Sequence, residues 1–382
     1  MSDACDDCLR RTDLVAALAP WLDVEWRRRS APSGVLSLPD ATLAALDRTG
    51  RVARRFARFS PARARERIQL AGLIAVCRCR ADYPERMREL ADPPAVLHIA
   101  GRPAALEEGP SVAIVGARRG TSYGLEVARA LGGGLAAAGI PVVSGMALGV
   151  DSAAHVGALE HVRAAFAAPS VQSIELGPRA RGVPAPVAVL AAGADVPYPA
   201  SRRRLYAQLV EHGCVVSELP PGSTAYRWCF VARNRLIAGL AAMTVVVEAT
   251  ERSGSLTTAD FAEQLGRPVG AVPGPVTSRF SGGTNTLLAA GAGVVRDTRD
   301  VLDQLLGPSA PRVEDLPPSA PIEPRLRHLL DAIERGHGSL AELTSDPDAT
   351  RQVLQDLTEL ELRGAVRREF GGRYLRALDG RT

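Results

Sequence analysis

Short runs of β-branched and small apolar residues alternate with alanine-rich segments through the middle of the chain. The runs occupy residues 112–115, 141–144, 187–190, 214–217, 244–248 and 269–272. They lack the polar alternation of a strand with one face in water, so each predicts a strand buried on both faces. Because such strands need helices on both faces, the pattern predicts an α/β fold with a Rossmann-like, doubly wound and mostly parallel sheet.

The region before these runs has helical periodicity. Residues 1–95 contain amphipathic segments at 13–22, 39–46 and 51–73, separated by Pro and Gly breaks. This pattern predicts a helical amino-terminal domain over residues 1–95, followed by the Rossmann-like domain over residues 96–306.

The region after the runs begins with a break in composition. Residues 307–324 hold six prolines and few apolar residues, which predicts an extended linker. Helical patterns then occupy 325–334, 340–343 and 349–363, and the last of them precedes two short apolar runs around a Gly-Gly pair. Three helices followed by a hairpin predict a winged-helix-like domain over residues 325–382.

The composition excludes several kinds of chemistry, but it does not by itself indicate a function. The chain has 382 residues and contains no lysine, so all 46 basic residues are arginine. This excludes a Walker A lysine and a lysine Schiff base, and any phosphate must bind arginines, backbone amides or helix amino termini. The formal net charge of +4 is too small to indicate a nucleic-acid-binding protein by itself.

The amino-terminal residues are acidic and no apolar run is long enough to span a bilayer, so we expect a cytoplasmic protein with no membrane partner. Six cysteines in a chain of this size do not indicate a disulfide scaffold. Two close pairs, Cys5 with Cys8 and Cys77 with Cys79, are candidate ligands of a structural zinc ion. The alternative is that they are free buried thiols, and we otherwise expect no cofactor.

Four glycine- or serine-rich loops follow predicted strands, and in a doubly wound sheet such loops meet at the carboxyl edge. The first contains Gly116, Arg118 and Arg119 before a predicted helix, whose amino terminus favours a phosphate. Its spacing is not GxGxxG, and no acidic residue lies about 20 residues further on, so NAD and FAD are disfavoured. The alternative is that the glycines only form a tight turn.

The second loop contains Ser144 and Gly145 and leads to Asp151 and His155, which would share one helix face. That spacing would suit a metal or acid–base pair. A structural interpretation is favoured, with Asp151 as a helix cap and His155 packed one turn later.

The third loop places Arg233, Asn234 and Arg235 near the start of a predicted helix, where cations oppose the helix dipole unless an anion also binds there. The alternative for one of the two arginines is a salt bridge with Glu248 or Glu218.

The fourth loop contains Arg252, Ser253, Gly254 and Ser255 after a strand, where hydroxyls and free amides suit phosphate oxygens. The site that the four loops outline is short of general bases. Together they predict binding of a polyphosphate backbone and not catalysis on a small substrate.

The same loops carry a series of motifs in a characteristic order. The motifs are Gly116-Ala117-Arg118, the run from Ser144 to Asp151, Tyr198-Pro199, Ser217 to Gly222, Arg233 to Leu240, Arg252 to Ala259 and Val272-Pro273-Gly274. Over about residues 80–305 the chain therefore resembles the bacterial DNA-processing protein A (DprA, or Smf) family.

This resemblance implies a protein that is not an enzyme, binds and protects incoming single-stranded DNA, forms a homodimer and helps to load RecA during natural transformation. Single-stranded DNA-binding protein is a further expected partner. The resemblance also implies a SAM-like helical domain in front of the core and a winged-helix-like domain behind it.

At the level of residues, the resemblance implies that Arg118 and the run from Arg233 to Arg235 contact DNA. It also implies that Ser144-Gly145 and Ser253-Gly254-Ser255 line the groove. The full set of expected DNA-binding residues is Gly116, Arg118, Arg119, Ser144, Gly145, Arg202, Arg203, Arg204, Arg233, Asn234, Arg235, Arg252, Ser253, Gly254 and Ser255.

The chain departs from the family pattern at several positions. Leu148 stands where the family has a basic residue, and our hypothesis is that Arg202, Arg203 and Arg204 supply the missing charge. Residues 164–186, rich in Pro, Ala, Gly and Arg, are not typical of the family and predict an inserted loop.

Candidate residues for base stacking are few, namely Tyr123, Tyr198, Tyr226 and Phe230. The alternative function is a nucleotide-processing enzyme of the lysine-decarboxylase-like phosphoribohydrolase group. Its PGGxGTxxE motif is absent, and the nearest strings lack the glutamate at that spacing.

Overall fold

The computed structural model describes residues 4–28, 34–106, 109–167, 184–307, 323–344, 346–362, 365–368 and 372–376. The chain divides into two compact units, residues 1–309 and 310–382, and each is described by itself.

A nine-stranded sheet forms the centre of the first unit. Its strands are β1 (Ile74–Cys77), β2 (Val96–Gly101), β3 (Val112–Val115), β4 (Val142–Ser144), β5 (Val187–Val189), β6 (Cys214–Ser217), β7 (Met243–Val246), β8 (Val269–Ala271) and β9 (Gly293–Val294). Their order across the sheet is β1-β2-β6-β5-β4-β3-β7-β8-β9. The seven strands from β6 to β9 are parallel, and β2 and β1 add an antiparallel edge.

Helices cover the sheet and form the amino-terminal region. In chain order they are α1 (Asp6–Arg27), α2 (Asp40–Leu46), α3 (Arg51–Ala57), α4 (Pro61–Leu70), α5 (Glu85–Arg88), α6 (Ser122–Ala137), α7 (Val150–Ala167), α8 (Arg203–His212), α9 (Arg227–Leu240), α10 (Leu256–Gln264), α11 (Gly282–Ala289) and α12 (Thr298–Leu306). Short 3₁₀ helices lie at Val35–Ser37, Pro103–Leu106 and Ala200–Arg202.

The six strands predicted from apolar runs are confirmed as β3 to β8, within about two residues at their ends. The α/β fold class is confirmed with them. Their central residues are almost completely buried, which is why they lack polar alternation.

The expectation that residues 1–95 are wholly helical is wrong at one place, because β1 lies within this range and pairs with β2. Its burial pattern has one exposed and three buried positions, and four residues are too few to show a strand period. The predicted helical segment 51–73 is two helices, since Ser60 and Pro61 start α4 and the Ser60 hydroxyl accepts a hydrogen bond from the Arg63 amide.

The amino-terminal helices pack directly on the sheet domain and belong to the same compact unit. The indole of Trp228 on α9 donates a hydrogen bond of 2.9 Å to the carbonyl of Ala19 on α1. The Trp228 amide donates to the buried carboxylate of Asp23, also on α1, at 3.3 Å. These contacts join residues about two hundred positions apart in the sequence.

The second unit contains α13 (Pro324–Glu334), α14 (Leu340–Leu343), α15 (Pro347–Leu362) and an antiparallel pair of strands, β10 (Val366–Arg368) and β11 (Tyr374–Arg376). This element order is the one that the sequence predicts, and the winged-helix assignment stays a prediction. Arg325 on α13 pairs with Asp356 and Glu359 of α15, so these acidic residues hold the two helices together.

Most of the predicted linker and most of the predicted insert lie outside the described residues. Among the helices that the structure describes, none is long and apolar enough to cross a membrane.

Candidate nucleic-acid interface

The parallel strands place the four predicted loops along one edge of the sheet. Chain order reverses at β3, which has β4 on one side and β7 on the other. The loops after β3 and β7, residues 116–121 and 247–255, leave a crevice between them, and ligands of doubly wound folds bind at such a switch point.

A carboxylate of the protein itself fills this crevice. Glu248 follows β7 and is 4% exposed. Its carboxylate accepts hydrogen bonds from the Thr121 amide at 2.8 Å and the Thr121 hydroxyl at 2.6 Å, at the amino terminus of α6. A Cβ on Gly124 would lie 2.3 Å from the Glu248 carboxyl group, so glycine is needed for the approach. The phosphate that the first loop predicts would have to displace Glu248.

The second loop has the same arrangement. Asp151, at the start of α7, is 6% exposed and accepts hydrogen bonds from the amides of Gly145 (3.2 Å) and Ala147 (3.4 Å). Burial raises the pKa of Asp151, although the charge of Arg233 acts in the opposite direction. The hydroxyl of Ser144 is also buried and donates to the carbonyl of Ile114 at 2.6 Å.

His155 is fully buried one turn after Asp151, and burial lowers its pKa to about 4. The structure thus favours a structural role for this pair. Asp151 is not the helix cap, because α7 starts at Val150 and the Asp151 carboxylate binds amides of the preceding loop. The expectation that Ser144 lines an open groove is wrong, because its side chain is turned into the protein.

Arg233 and Arg235 are both buried, at 5% and 4% exposure, but they lie in different surroundings. The Arg233 guanidinium donates to the carbonyl of Val189 at the end of β5, at 2.7 Å. A Cβ on Gly145 would lie 1.7 Å from Arg233 Nη1, so Gly145 is required for Arg233 to pack there. Burial lowers the pKa of Arg233 to about 10, while Asp151 counteracts this effect.

Arg235 is part of an internal ion-pair group. It donates to the Glu218 carboxylate at 2.5 Å, and its Nε lies 3.4 Å from Asp92. Burial raises the pKa of Glu218, and the charge of Arg235 lowers it. The salt bridge that the sequence offered as the alternative for one arginine is therefore present. A direct DNA contact by Arg235 would require it to leave Glu218.

The third and fourth loops are joined by Asn234. Its side-chain amide donates to the carbonyl of Gly254 at 2.9 Å, and the hydroxyls of Ser253 and Ser255 lie 2.7 Å apart. Gly254 itself is exposed and has open space where a side chain would be. Asn234 thus holds the Ser-Gly-Ser turn in place at the surface.

Six of the predicted residues are arginines that remain accessible. Within the part of the chain that the structure describes, none of them has a carboxylate in ion-pair distance. We call this set the arginine edge, and it consists of Arg118, Arg119, Arg202, Arg203, Arg204 and Arg252. Arg202 is half-buried and the other five are exposed.

Aromatic rings lie next to the arginine edge. The Arg118 guanidinium lies 4.9 Å from the centroid of the Phe230 ring. The Phe230 ring is 5.3 Å from that of Tyr198, which is 43% exposed. Arg118, Phe230 and Tyr198 therefore form a continuous cationic and aromatic surface, which suits a nucleic-acid backbone with unstacked bases.

Sequence reasoning missed Arg279, which is exposed in the loop after β8 and lies 4.8 Å from the Phe280 ring centroid. The signal available was an Arg-Phe pair shortly after the Val272-Pro273-Gly274 motif. The four candidate zinc ligands meet elsewhere in the first unit.

Comparisons with known proteins identify one protein family for the sheet domain. The family model described as DNA recombination-mediator protein A matches residues 75–306. A Mycobacterium tuberculosis protein described as "Putative DNA processing protein DprA" is 43% identical over 220 residues, which are 57% of this chain and 51% of that protein. The alignment thus spans about half the length of this relative.

Solved structures agree with the sequence matches. The X-ray structure of DNA processing protein A from Streptococcus pneumoniae has a TM-score of 0.60 and 28% identity, covering 78% of this chain and 96% of that one. The Helicobacter pylori protein, whose structure is titled for its single-stranded DNA binding mode, has a TM-score of 0.50 and 27% identity over 59% of this chain and 93% of its own.

Proposed function

This chain belongs to the family of DNA recombination-mediator protein A, and from that premise we propose that it binds single-stranded DNA along the carboxyl edge of its parallel sheet. The single observation that carries this proposal is the arginine edge, six accessible guanidinium groups without carboxylate partners among the described residues. Arginines of this kind hold backbone phosphates through charge-assisted and often bidentate hydrogen bonds.

Most of the expected site residues have a role in this proposal, and the exceptions are Ser144 and Arg235, whose side chains are held in internal contacts. The arginine edge contacts phosphates, and the exposed Gly254 turn, with its serine hydroxyls, lies beside it. Buried residues act indirectly: Gly116 and Gly145 allow close packing of the loops, while Arg233 and Asn234 hold the loops in position. Tyr198 offers an exposed ring on which a base can stack.

An enzyme that processes nucleotides is the weaker alternative. Such a protein would place a phosphate at the switch point, where Glu248 already accepts two hydrogen bonds from Thr121. A negative carboxylate at this position repels a second anion. We therefore propose a binding protein and not an enzyme.

We further propose that the protein protects incoming single-stranded DNA, forms a homodimer and helps to load RecA in the cytoplasm, with single-stranded DNA-binding protein as another partner. The family description and the DNA-processing relatives support this proposal. The test is the ATPase activity of RecA on DNA that is already coated with single-stranded DNA-binding protein, which the full chain should stimulate.

DNA binding is tested by fluorescence anisotropy with labelled single-stranded and duplex oligonucleotides over a salt series. The wild type should prefer the single strand, and its affinity should fall steeply with salt. The Arg202/Arg203/Arg204 triple alanine variant should bind more weakly. The slope of log K against log salt should become shallower by about 2, because each of the three lost phosphate contacts contributes about 0.7.

A matched control is Arg163→Ala, an exposed arginine about 20 Å along α7 from Val150 and hence far from the carboxyl edge. It removes one positive charge and should leave affinity and slope unchanged. Tighter binding of duplex DNA, or no binding of either oligonucleotide, would refute the proposal. An unchanged slope in the triple variant would refute the role of Arg202 to Arg204.

A further inference from the structure

Four cysteine sulfur atoms from two distant parts of the chain meet beside the antiparallel edge of the sheet. Cys5 and Cys8 lie at the start of α1, while Cys77 ends β1 and Cys79 lies in the turn that follows. All four Sγ atoms lie within 4.8 Å of one another, and those of Cys8 and Cys79 are 3.6 Å apart. From this geometry we propose that the four thiolates hold one structural zinc ion.

The distances suit a single metal ion. Zinc–sulfur bonds of about 2.3 Å in a tetrahedron place the sulfur atoms about 3.8 Å apart. The Cys8–Cys79 separation is already close to this value. A cluster with several iron atoms would need its cysteine ligands farther apart, because they bind different metal atoms.

Local backbone structure directs each pair of thiols to one point. Cys5 is the N-cap of α1, and Cys8 lies three residues later on the same side of the first turn. On the other segment, the Arg80 amide donates to the Cys77 carbonyl at 3.0 Å, which forms a turn with Cys79 inside it. The Cys5–Cys8 pair and the Cys77–Cys79 pair therefore approach the same site from two sides.

The other two cysteines provide an internal comparison. Cys214 and Cys229 are also buried, but each lies within an apolar cluster away from the four-thiol group. Cys79 differs from both of them because it is exposed and its sulfur still points to Cys8. An apolar packing role explains a buried thiol but not an exposed one held in this position.

Four protein ligands complete a tetrahedron, so the site has no open position for substrate and is structural. Binding follows Zn²⁺ + 4 RSH → [Zn(SR)₄]²⁻ + 4 H⁺, with the protons released to solvent. The negative complex would lie at the positive amino terminus of α1. Arg65 lies nearby, since its guanidinium donates to the Ala4 carbonyl at 3.0 Å, and it also pairs with Asp6 in the first turn of α1.

The position of the site indicates what the metal would do. Cys8 and Cys79 are 71 positions apart, and a link between them through zinc would close a segment that contains most of α1, all of α2 to α4, and β1. Cys8 and Cys77 also belong to the apolar cluster of Ile68, Leu73 and Val96. Zinc would thus fasten the start of α1 to the edge strand of the sheet.

The test uses the full-length chain purified under reducing conditions without chelator. Elemental analysis should find one zinc per chain, and a mercurial that blocks thiols should release it. Cobalt added to the zinc-free protein should give the thiolate-to-metal charge-transfer absorption of a four-sulfur site. Chelator should lower the melting temperature of the wild type.

Two variants make the result specific. Cys79→Ser changes the exposed ligand, so it disturbs packing least, and should lower zinc content and make the melting temperature insensitive to chelator. Cys229→Ala is the matched control and should retain one zinc. Absence of both zinc and cobalt uptake in the wild type, stoichiometric iron in place of zinc, or a Cys8–Cys79 disulfide in the reduced preparation would overturn the proposal.

Discussion

Arginine occupies two contrasting regions at the carboxyl edge of the sheet. The arginine edge is accessible and has no carboxylate partners among the described residues. A second region is buried, and its charged groups are hydrogen-bonded or paired within the protein. We call this second region the buried polar layer, and it consists of Asp151, His155, Glu218, Arg233, Arg235 and Glu248. Five of its members are buried residues, and the side chain of the sixth, Glu218, is 12% exposed.

The difference shows how one residue type can serve two purposes. A buried guanidinium must be paired or hydrogen-bonded, because an isolated charge costs several kcal/mol in a low-dielectric interior. An exposed guanidinium loses little when it is unpaired, so its charge remains available to a DNA phosphate. Mutations in the two regions should therefore have different effects, on folding in one case and on DNA affinity in the other.

The largest effect is expected from Arg235→Met in the buried polar layer. Loss of the guanidinium leaves the buried Glu218 carboxylate without its partner, which should reduce the free energy of unfolding by about 3–5 kcal/mol. Urea denaturation at pH 7 measures this change. Adding Glu218→Gln should recover part of the loss. If Arg235→Met instead keeps its stability and loses DNA affinity, Arg235 is a DNA contact and the contrast fails at this residue.

A pH dependence should come from the buried polar layer as well. Burial lowers the pKa of His155 to about 4 in the folded chain, whereas an unfolded histidine titrates near 6.5. The unfolded state therefore takes up the proton first, and folding should lose about 3 kcal/mol as the pH falls from about 6.5 to about 4.

His155→Gln provides the control for this pH effect, measured as the free energy of unfolding at several pH values. The raised pKa of Asp151 acts in the opposite direction, because protonation then favours the folded state as the pH falls. Subtraction of the variant from the wild type removes this contribution. Parallel curves for the two proteins would show that His155 does not titrate as expected.

The next largest effect concerns Tyr198 beside the arginine edge. Tyr198→Ala should weaken binding of single-stranded DNA by about 1–3 kcal/mol, since it removes the exposed stacking ring without removing charge. Tyr198→Phe keeps the ring and should bind nearly as the wild type does. Anisotropy titrations measure both affinities, and equal losses in the two variants would point to the hydroxyl and exclude stacking.

The smallest effect should come from Arg118→Lys, which keeps the charge but loses the planar group over Phe230. We expect an affinity loss below about 1 kcal/mol and an unchanged salt slope. Arg118→Ala should make the slope shallower by about 0.7. A lysine variant as weak as the alanine variant would show that planar contact matters more than charge.

Much of the fold followed from local patterns. The six central strands could be predicted because burial on both faces gives continuous apolar runs, which need no knowledge of distant residues. Three strands of the sheet were missed. Strands β1 and β9 are short and partly exposed, so they carry no such signal. Strand β2 is buried, but His98 interrupts its apolar run. The short spacing within each cysteine pair also predicted the candidate metal ligands. In the fold, the four Sγ atoms lie within 4.8 Å of one another.

Only the tertiary structure decided which partner each charged group has. The sequence by itself determined the α/β class, the family resemblance and the supply of arginine as its basic residue. It did not show that Glu248 fills the first glycine loop, since Thr121 lies 127 positions away. Nor did it separate the paired Arg235 from the accessible Arg118. Ion pairs depend on distances across the folded chain, and local sequence patterns do not contain those distances.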